Sequence, residues 1–239
     1  MPDRDLVVAA FTELAPDYEP TVDRELRIFW PVSYRDFLAR LLAVAAVAEG
    51  EAVLDVASGT AYLPSQIADR LGASGRIYGL DITPAMLVRG AERLAAEGHQ
   101  ARTRLVCGSA LAMPLADASF DVALCALGTH HIDVPGLMSE MRRVLRPGGR
   151  IVLADVSANR FWRSLAGAAL LRVLMLGYGL ALRSVRARAE IDAFDNVHTA
   201  GEWRALLAAH GYADIALPLV SQRVYCARRA SGNTLEVRR

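Results

Sequence analysis

Two carboxylates stand near the ends of predicted strands, Asp55 in the stretch VLDVASGTA (residues 53–61) and Asp81 in RIYGLD (residues 76–81). After its strand, the first stretch holds only small side chains, which let a backbone turn approach a ligand and leave the amides of the following helix free. A carboxylate at the end of the second strand can accept hydrogen bonds from both hydroxyls of a ribose. This spacing predicts a site for a nucleoside ligand.

The composition of the turn separates two kinds of nucleoside ligand. A dinucleotide site uses G-x-G-x-x-G so that the backbone admits a pyrophosphate, whereas Gly59 is the only glycine in this turn. Asp55 would repel a pyrophosphate and attract a cation. S-adenosyl-L-methionine carries a sulfonium, an ammonium and a ribose but no phosphate, so the turn favours that cofactor over NAD.

Histidines supply the candidate bases for chemistry on a hydroxyl or a carbon acid. His130 and His131 follow the fourth predicted strand in GTHHI, at the sheet edge where an acceptor is expected. Either of them, His131 above all, has the alternative of bracing the loop, because a pKa near neutrality does not by itself make a histidine catalytic. His198, in NVHTAGEW, precedes a helix and belongs either to the pocket or to the surface. Asp155, at the end of the fifth strand, either contacts the acceptor or caps the next turn.

Short apolar runs rich in branched residues alternate with amphipathic helices and provide the frame for these side chains. The predicted strands are 51–57, 76–81, 103–108, 121–127 and 150–156, and the clearest helices between them are 84–97 and 135–146. Buried strands that alternate with helices indicate an α/β fold with a parallel sheet covered on both faces.

The chain is predicted to be a single domain made of four parts. Residues 49–156 form the ligand-binding core, and residues 201–239 add a C-terminal helix and a hairpin. Residues 1–48 and 157–200 fall outside the alternation and are predicted to form a helical cap, because extra segments at the open end of an α/β sheet commonly build the substrate pocket.

Four ordered motifs resemble those of class I S-adenosylmethionine-dependent methyltransferases. They are VLDVASGTAYLP, IYGLDITPAMLVRGAERL, LVCGSALAMPLADASFDVALCALGTHHI and MRRVLRPGGRIVLADV, and the later stretch HTAGEWRALLAAHGYADI is similar to the helix ahead of that family's final hairpin. The nearest subgroup is the ubiquinone/menaquinone-biosynthesis type. The resemblance implies a Rossmann-like fold with a seven-stranded, mostly parallel sheet, an antiparallel last strand, helices on both faces and a helical cap.

The same resemblance implies cofactor contacts position by position. Asp81 would hold the ribose hydroxyls, and Tyr18 would close over the cofactor. The other positions are Asp55, Ala57, Ser58, Gly59, Ala61 and Leu127 near the methionine part, and Ile82, Met86, Ser109 and Ala110 near the adenine. Alanine replaces a frequent family glycine at two of these positions, and a serine stands where the family often has an aspartate.

Composition argues against several other classes of protein. The net charge of +1 gives no sign of a nucleic-acid partner. Cys107, Cys125 and Cys226 lie far apart without a C-x-x-C pair, so neither a disulfide framework nor a zinc site is expected, and no metal is predicted. The acidic start MPDRDLVVAA lacks the apolar core of a signal peptide, which predicts a cytoplasmic protein.

One unusually apolar segment, residues 164–186, approaches the length of a membrane span. Arg172 interrupts it, and two glycines weaken it as a helix. It is expected to be a lid on the sheet domain, with a peripheral membrane contact as the alternative. The sequence also leaves a homodimer open.

The resemblance and the site residues together predict methyl transfer to an oxygen or a carbon of an apolar small molecule, such as a quinone, a polyketide or another aromatic metabolite. Two alternatives stay open. One is an enzyme of the same fold that binds the cofactor but performs a non-methylating step such as cyclisation. The other is a dinucleotide-dependent oxidoreductase, which the missing pyrophosphate glycines oppose.

Overall fold

The computed structural model describes residues 3–29, 31–155, 167, 169–170, 173, 177, 185–193, 196–216 and 223–229. The helices with described bounds are α1 (Arg4–Leu14), α2 (Tyr18–Phe29), α3 (Tyr34–Ala45), α4 (Tyr62–Ala68), α5 (Pro84–Ala96), α6 (Val134–Val144), α7 (Val185–Ala193) and α8 (Ala200–Ala209). The strands are β1 (Ala52–Val56), β2 (Arg76–Asp81), β3 (Thr103–Cys107), β4 (Phe120–Ala126), β5 (Leu145–Asp155), β6 (Tyr212–Ala216) and β7 (Arg223–Arg229).

The strands lie side by side in the order β3-β2-β1-β4-β5-β7-β6. The five strands from β3 to β5 are parallel to their neighbours, whereas β7 runs antiparallel to β5 and β6 antiparallel to β7. The predicted α/β fold with a Rossmann-like, mostly parallel sheet is confirmed. Strand order reverses between β1 and β4, and such a reversal opens a crevice beyond the carboxyl ends of the strands.

Alternate residues of the central strands face opposite sides of the sheet. In β1, Val53 packs in one core with α3 and α4, and Leu54 packs in a second core with α6 and α8. All five residues of β1 are buried, including Asp55. A strand covered on both faces appears in the sequence as a continuous apolar run rather than an alternation, and this is why the prediction located it.

The boundary between α6 and β5 differs from the prediction. The helix ends at Val144 rather than at residue 146, and the strand begins at once because Leu145 already pairs with Phe120 of β4. Pro147, which follows the predicted helix, therefore lies within β5, where Gly148 has a φ of 79°. A left-handed residue in a strand interior marks an irregularity of the ladder rather than a loop.

A partly buried arginine, Arg150, connects the end of α3 to the sheet. Arg150 of β5 donates to both carboxylate oxygens of Glu51, at 2.7 and 2.8 Å, and its Nε donates to the carbonyl oxygen of Ala45 at 2.7 Å. Although burial alone would raise it, the hydrogen bonds from Arg150 and from Ala48 N lower the pKa of Glu51. A bidentate pair of this kind fixes the angle between α3 and the sheet.

Most of the predicted lid lies outside the described residues. Of the apolar segment 164–186, only residues 167, 169–170, 173, 177 and 185–186 are described, and Arg172 is not among them. Cys226 lies in β7, whose backbone pairing alone is described. None of the helices in the described ranges is long and apolar enough to cross a membrane.

Candidate functional site

One cavity lies beyond the carboxyl ends of β1, β2 and β4, beneath the N-terminal helix α1. Its wall includes Arg4, Val7 and Phe11, which share one face of α1 because they are spaced by three and four residues. Ten of the predicted site residues line this cavity: Tyr18, Ala57, Gly59, Asp81, Ile82, Met86, Ser109, Ala110, Leu127 and His131. The cavity therefore joins most of the predicted cofactor positions to one histidine of the predicted pair.

The carboxylate of Asp81 organises the turn after β1. Its Oδ2 accepts a hydrogen bond from Gly59 N at 2.8 Å, and its Oδ1 accepts one from Thr83 N at 2.8 Å. Each oxygen keeps a second lone pair for a ligand hydroxyl. Burial raises the pKa of Asp81, and the backbone donors at Thr83 and Gly59 oppose that shift.

The turn between β1 and α4 requires left-handed backbone at three alternate positions. Ala57, Gly59 and Ala61 have φ values of 56°, 53° and 56°. Only glycine adopts this region without a steric penalty, which explains why small residues occupy the turn. The two alanines cost about 1 kcal/mol each relative to glycine.

Two polar groups behind the turn have no hydrogen-bond partner among the described residues, Asp55 Oδ1 and Ser58 Oγ. Asp55 is 1% exposed and Ser58 is 8% exposed. Burial, followed by the charge of Asp81, raises the pKa of Asp55 well above its ordinary value. Buried polar atoms left unpaired are costly. Neither residue is among those that line the cavity, and Ser58 Oγ lies next to Gly79 of β2. A carboxylate at Asp55, behind the turn, suits a ligand with a cationic group such as S-adenosyl-L-methionine.

Ala61 does not line the cavity. It is fully buried and precedes α4, where its side chain faces Gly90 of α5 closely enough that an added Cβ there would lie 3.0 Å away. The sequence placed Ala61 next to the cofactor, whereas in the structure its small side chain lets two helices approach. Its contribution to the turn is its backbone conformation.

The far wall of the cavity is largely apolar. Ile82, Met86, Ala110 and Leu111 line it, and Met86 is 1% exposed. Ser109 Oγ accepts a hydrogen bond from Leu111 N at 3.2 Å, so its hydroxyl hydrogen remains available to a ligand. An apolar slot with one hydroxyl at its edge suits a planar, weakly polar ring such as adenine.

Tyr18 covers the cavity from the N-terminal side, and its neighbour Glu19 ties that segment to the turn. Thr60 Oγ1 donates to Glu19 at 2.6 Å, and Arg93 of α5 forms an ion pair with the same carboxylate. Loss of water around its oxygen raises the pKa of Tyr18, so the phenol stays protonated. Sequence reasoning found Tyr18 and missed Glu19 and Arg93, whose partners are distant along the chain.

The predicted histidine pair lies next to a buried carboxylate, Asp155, at the end of β5. Asp155 is 1% exposed, its Oδ1 lies 2.8 Å from His130 Nδ1, and its Oδ2 accepts from Thr129 N at 2.8 Å. Although burial alone would lower it, the Asp155 carboxylate raises the pKa of His130 to about 9. Asp155 thus orients the ring of His130 and holds the loop after β4, while the residues that follow β5 lie outside the described ranges.

His131 is the member of the pair that reaches the cavity. Its side chain is 4% exposed, and its ring stacks edge-on against Phe11, with the centroids 5.1 Å apart. Both ring nitrogens are buried without a hydrogen-bond partner among the described residues. Burial and the neighbouring His130 lower the pKa of His131, although Glu190 opposes that shift.

A glutamate from α7 completes the group around the histidines. Glu190 Oε2 lies 3.8 Å from His130 Nε2, and Glu190 Oε1 lies 3.8 Å from His131 Nε2. Although burial opposes it, the two imidazoles and Arg186 hold the pKa of Glu190 at about 2. Glu190 is absent from the sequence prediction, and no motif or spacing marks it.

His198, like His130, is not among the residues that line the cavity. Its Nδ1 lies 2.7 Å from the carbonyl oxygen of Asn196, and its ring packs on Trp203 with the centroids 5.4 Å apart. The neighbouring Asn196 contacts the loop after β4, because its Nδ2 donates to the carbonyl oxygens of residues 129, 130 and 132. The catalytic role of His198 stays a prediction.

Comparisons with known proteins agree with this geometry. A family model described as a methyltransferase domain matches residues 54–153. The ubiquinone/menaquinone biosynthesis C-methyltransferase UbiE of Dinoroseobacter shibae is 34% identical over 156 residues, which are 64% of this chain and 59% of that protein. The protein of the same name from Geobacter sulfurreducens is 32% identical over 171 residues, which are 70% of this chain and 67% of that protein.

A solved structure shows the same fold. The chain is similar to a SAM dependent methyltransferase from Aquifex aeolicus, with a TM-score of 0.61 and 16% sequence identity over 89% of this chain and 96% of that one. The family matches favour a methyltransferase over a dinucleotide-dependent oxidoreductase. The first of the two curated relatives is matched over 59% of its length.

Proposed function

Because the chain belongs to the family of UbiE-type S-adenosylmethionine-dependent methyltransferases, we propose that it transfers a methyl group from S-adenosyl-L-methionine to a hydroxylated, apolar aromatic molecule of quinol type. The acceptor atom is an oxygen or a ring carbon. The relatives are named as C-methyltransferases of quinone biosynthesis, which supports a ring carbon as the methylated atom. The match covers only part of those relatives, so the reaction and the acceptor are argued here from the site.

Cofactor binding is assigned to the crevice between β1 and β4. Asp81 accepts hydrogen bonds from the ribose hydroxyls. Asp55 and Ser58, whose oxygens have no hydrogen-bond partner among the described residues, are assigned to the amino-acid end of the cofactor. Met86 and Ser109 flank the adenine. Ala57, Gly59, Ile82, Ala110 and Leu127 supply the remaining wall, and Ala61 acts through the backbone of the turn.

The cofactor, when bound, supplies a methyl group on a sulfonium that is open to in-line displacement. The protein therefore has to hold the acceptor in line and keep water away. Phe11 and Tyr18 form an aromatic cover over the cavity, 6.4 Å apart between ring centroids. Aromatic edges of this kind suit a flat acceptor ring.

The acceptor's oxygen is assigned to the histidine pair. His131 presents buried ring nitrogens without a partner to the cavity, and a hydroxyl of the acceptor would provide the missing hydrogen bond. His130 is held by Asp155 and supports the loop from below. Binding the hydroxyl here raises electron density on the adjacent ring carbon and fixes the ring relative to the methyl group.

The predicted cap is kept as part of this proposal. The described residues within the segment 157–200 include Glu190 and Asn196, and both contact the loop after β4. This supports a lid role for the segment, with 1–48 as the opposite part of the cap. A membrane contact through 164–186 and a homodimer are left as the less supported arrangements.

A single observation carries the proposal, namely that one cavity contains both the ribose-type carboxylate Asp81 and the unpartnered imidazole of His131. The test incubates the protein with cofactor bearing a deuterated methyl group and a panel of benzoquinols and naphthoquinols. A product heavier by one deuterated methyl group is expected. Conversion of an acceptor without that gain would favour the non-methylating alternative, and a panel left untouched while the cofactor binds would contradict the acceptor class.

A further inference from the structure

Three potential metal ligands meet beside the cavity, one from each of three side chains. His130, His131 and Glu190 each offer one donor atom, and these atoms all lie within 4.8 Å of one another. Each histidine Nε2 is 3.8 Å from a different oxygen of Glu190. This separation is too long for a hydrogen bond, which spans about 2.7–3.2 Å.

The same separation is close to what a shared cation requires. Two ligands each about 2.1 Å from a tetrahedral ion lie about 3.4 Å apart. Each nitrogen–oxygen distance is 3.8 Å, so binding an ion requires these atoms to move closer by a few tenths of an ångström. Two histidines and a carboxylate on one side of an ion, with the other positions open, are a known arrangement for divalent first-row transition metals.

The histidine closest to the cavity gives an independent sign of a missing partner. The side chain of His131 is 4% exposed, and both of its ring nitrogens lack a hydrogen-bond partner among the described residues. A buried imidazole without any partner costs free energy unless a ligand uses its lone pair. Its Nε2 faces Glu190, which is the side on which a cation would sit.

The other histidine carries the support that metal-binding histidines usually have. His130 Nδ1 lies 2.8 Å from Asp155 Oδ1, and Nε2 on the other side of the ring lies 3.8 Å from Glu190. A carboxylate behind a ligating histidine orients the ring and raises its basicity.

The charges around the group also call for a cation. Asp155, Glu190 and Glu25 contribute three carboxylates, and Arg186 contributes one guanidinium, which lies 3.4 Å from Glu190 and 2.6 Å from Glu25. When an ion is bound, both imidazoles are neutral ligands, and these carboxylates and the guanidinium then leave a balance of two negative charges. A divalent ion would neutralise it.

From these contacts we infer that His130, His131 and Glu190 form a binding site for a divalent first-row transition-metal ion such as Zn²⁺. The ion leaves at least one coordination position towards the cavity that His131 lines. The sequence predicts no metal because its cysteines are far apart, whereas these ligands come from the loop after β4 and from α7. The role of the ion rests on the proposed function, since it would bind the acceptor's oxygen and lower the pKa of the hydroxyl.

Metal binding can be measured without cofactor or acceptor. The full chain, freed of any affinity tag and stripped with a chelator, is titrated with ZnCl₂ in a calorimeter and with CoCl₂ in an absorption spectrometer. One equivalent is expected to bind, and the visible Co²⁺ bands report nitrogen and oxygen ligation. Glu190→Gln and His131→Gln are expected to weaken binding by about tenfold or more, the scale of altered metal sites.

His99→Gln is the matched control, because it also removes one histidine and its ring lies 3.9 Å from Asp69, in a different part of the molecule. It is expected to bind the metal as the unchanged chain does. The inference is overturned if the stripped chain binds no equivalent of either metal, or if both site variants bind as tightly as the control. A folded-state check comes from thermal unfolding, because a bound ion raises Tm only in proteins that keep the site.

The outcomes separate this site from the proposed function. Metal binding with no methyl transfer to any acceptor would support the metal site and contradict the proposed function. Methyl transfer by a chelator-treated protein that binds no metal would support the proposed function and contradict the metal site.

Discussion

The carboxylate of Asp81 is the residue through which cofactor binding can be perturbed most selectively. Gly59 N and Thr83 N each donate to a different oxygen of this carboxylate, both at 2.8 Å. One acceptor position on each oxygen is left for the ribose. Asp81→Asn keeps the shape but turns one oxygen into an NH₂ group, which can only donate.

The size of the effect follows from this loss. Whichever way the amide turns, its NH₂ faces one backbone N–H, from which it cannot accept, and one ribose hydroxyl, which has to turn and accept, so the charge-assisted ribose bond is lost. A hydrogen bond to a charged group contributes about 1.5–3 kcal/mol. Losing the ribose bond alone is therefore expected to raise Kd for the cofactor by about 10- to 150-fold.

Calorimetric titration with S-adenosyl-L-methionine and, separately, with adenosine measures this effect. Both ligands carry the ribose, so both are expected to weaken by a similar factor in Asp81→Asn. Asp69→Asn, at a side chain that is 82% exposed, is expected to bind as the unchanged chain does. The reasoning is refuted if Asp81→Asn unfolds at the same temperature as the unchanged chain and binds both ligands equally well.

Three further predictions concern the loop after β4, its neighbour segment and the turn after β1. In Gly128→Ala the new Cβ would come within 2.8 Å of a side-chain carbon, so the free energy of unfolding in urea is expected to fall by about 1–3 kcal/mol, whereas Gly201→Ala, with nothing within 4 Å, is expected not to lower it. Asn196→Ala removes the amide donor from three carbonyl oxygens, of which that of Thr129 still accepts from Ile132 N, and a loss of about 1–3 kcal/mol in the same experiment is expected. Burial raises the pKa of Asp55, and the cationic end of the cofactor needs the ionised form, so cofactor affinity is expected to fall by up to about tenfold per pH unit below that pKa, while adenosine affinity changes less.

Each of these has a clear contrary result. Equal stability of Gly128→Ala and the unchanged chain would mean that the turn has room that the structure does not show. An unchanged urea midpoint in Asn196→Ala would mean that the loop is held elsewhere. If the affinities for the cofactor and for adenosine changed with pH in the same way, Asp55 would not contact the amino-acid end of the cofactor.

The sheet and the cofactor crevice could be predicted because their signals are local in the sequence. The run around Val53 is apolar throughout since both faces of β1 are covered, and Asp81 ends its strand next to the turn it organises. The turn was predicted from small side chains, and the structure adds the reason, which is left-handed backbone at Ala57 and Ala61.

The acceptor side could not be predicted in the same way. Glu190 and Asn196 reach the loop after β4 from a segment more than fifty residues away, and neither belongs to a motif. The histidines illustrate the limit of spacing arguments. His131 was the one expected to brace the loop and instead reaches the cavity, whereas His198 packs on Trp203 away from it.

The central claim is that this crevice binds S-adenosyl-L-methionine rather than a dinucleotide. The most direct measurement is calorimetric titration of the purified protein with S-adenosyl-L-methionine and, under the same conditions, with NADH. The account predicts saturable binding of one equivalent of S-adenosyl-L-methionine and none of NADH. Binding of NADH in its place would contradict it.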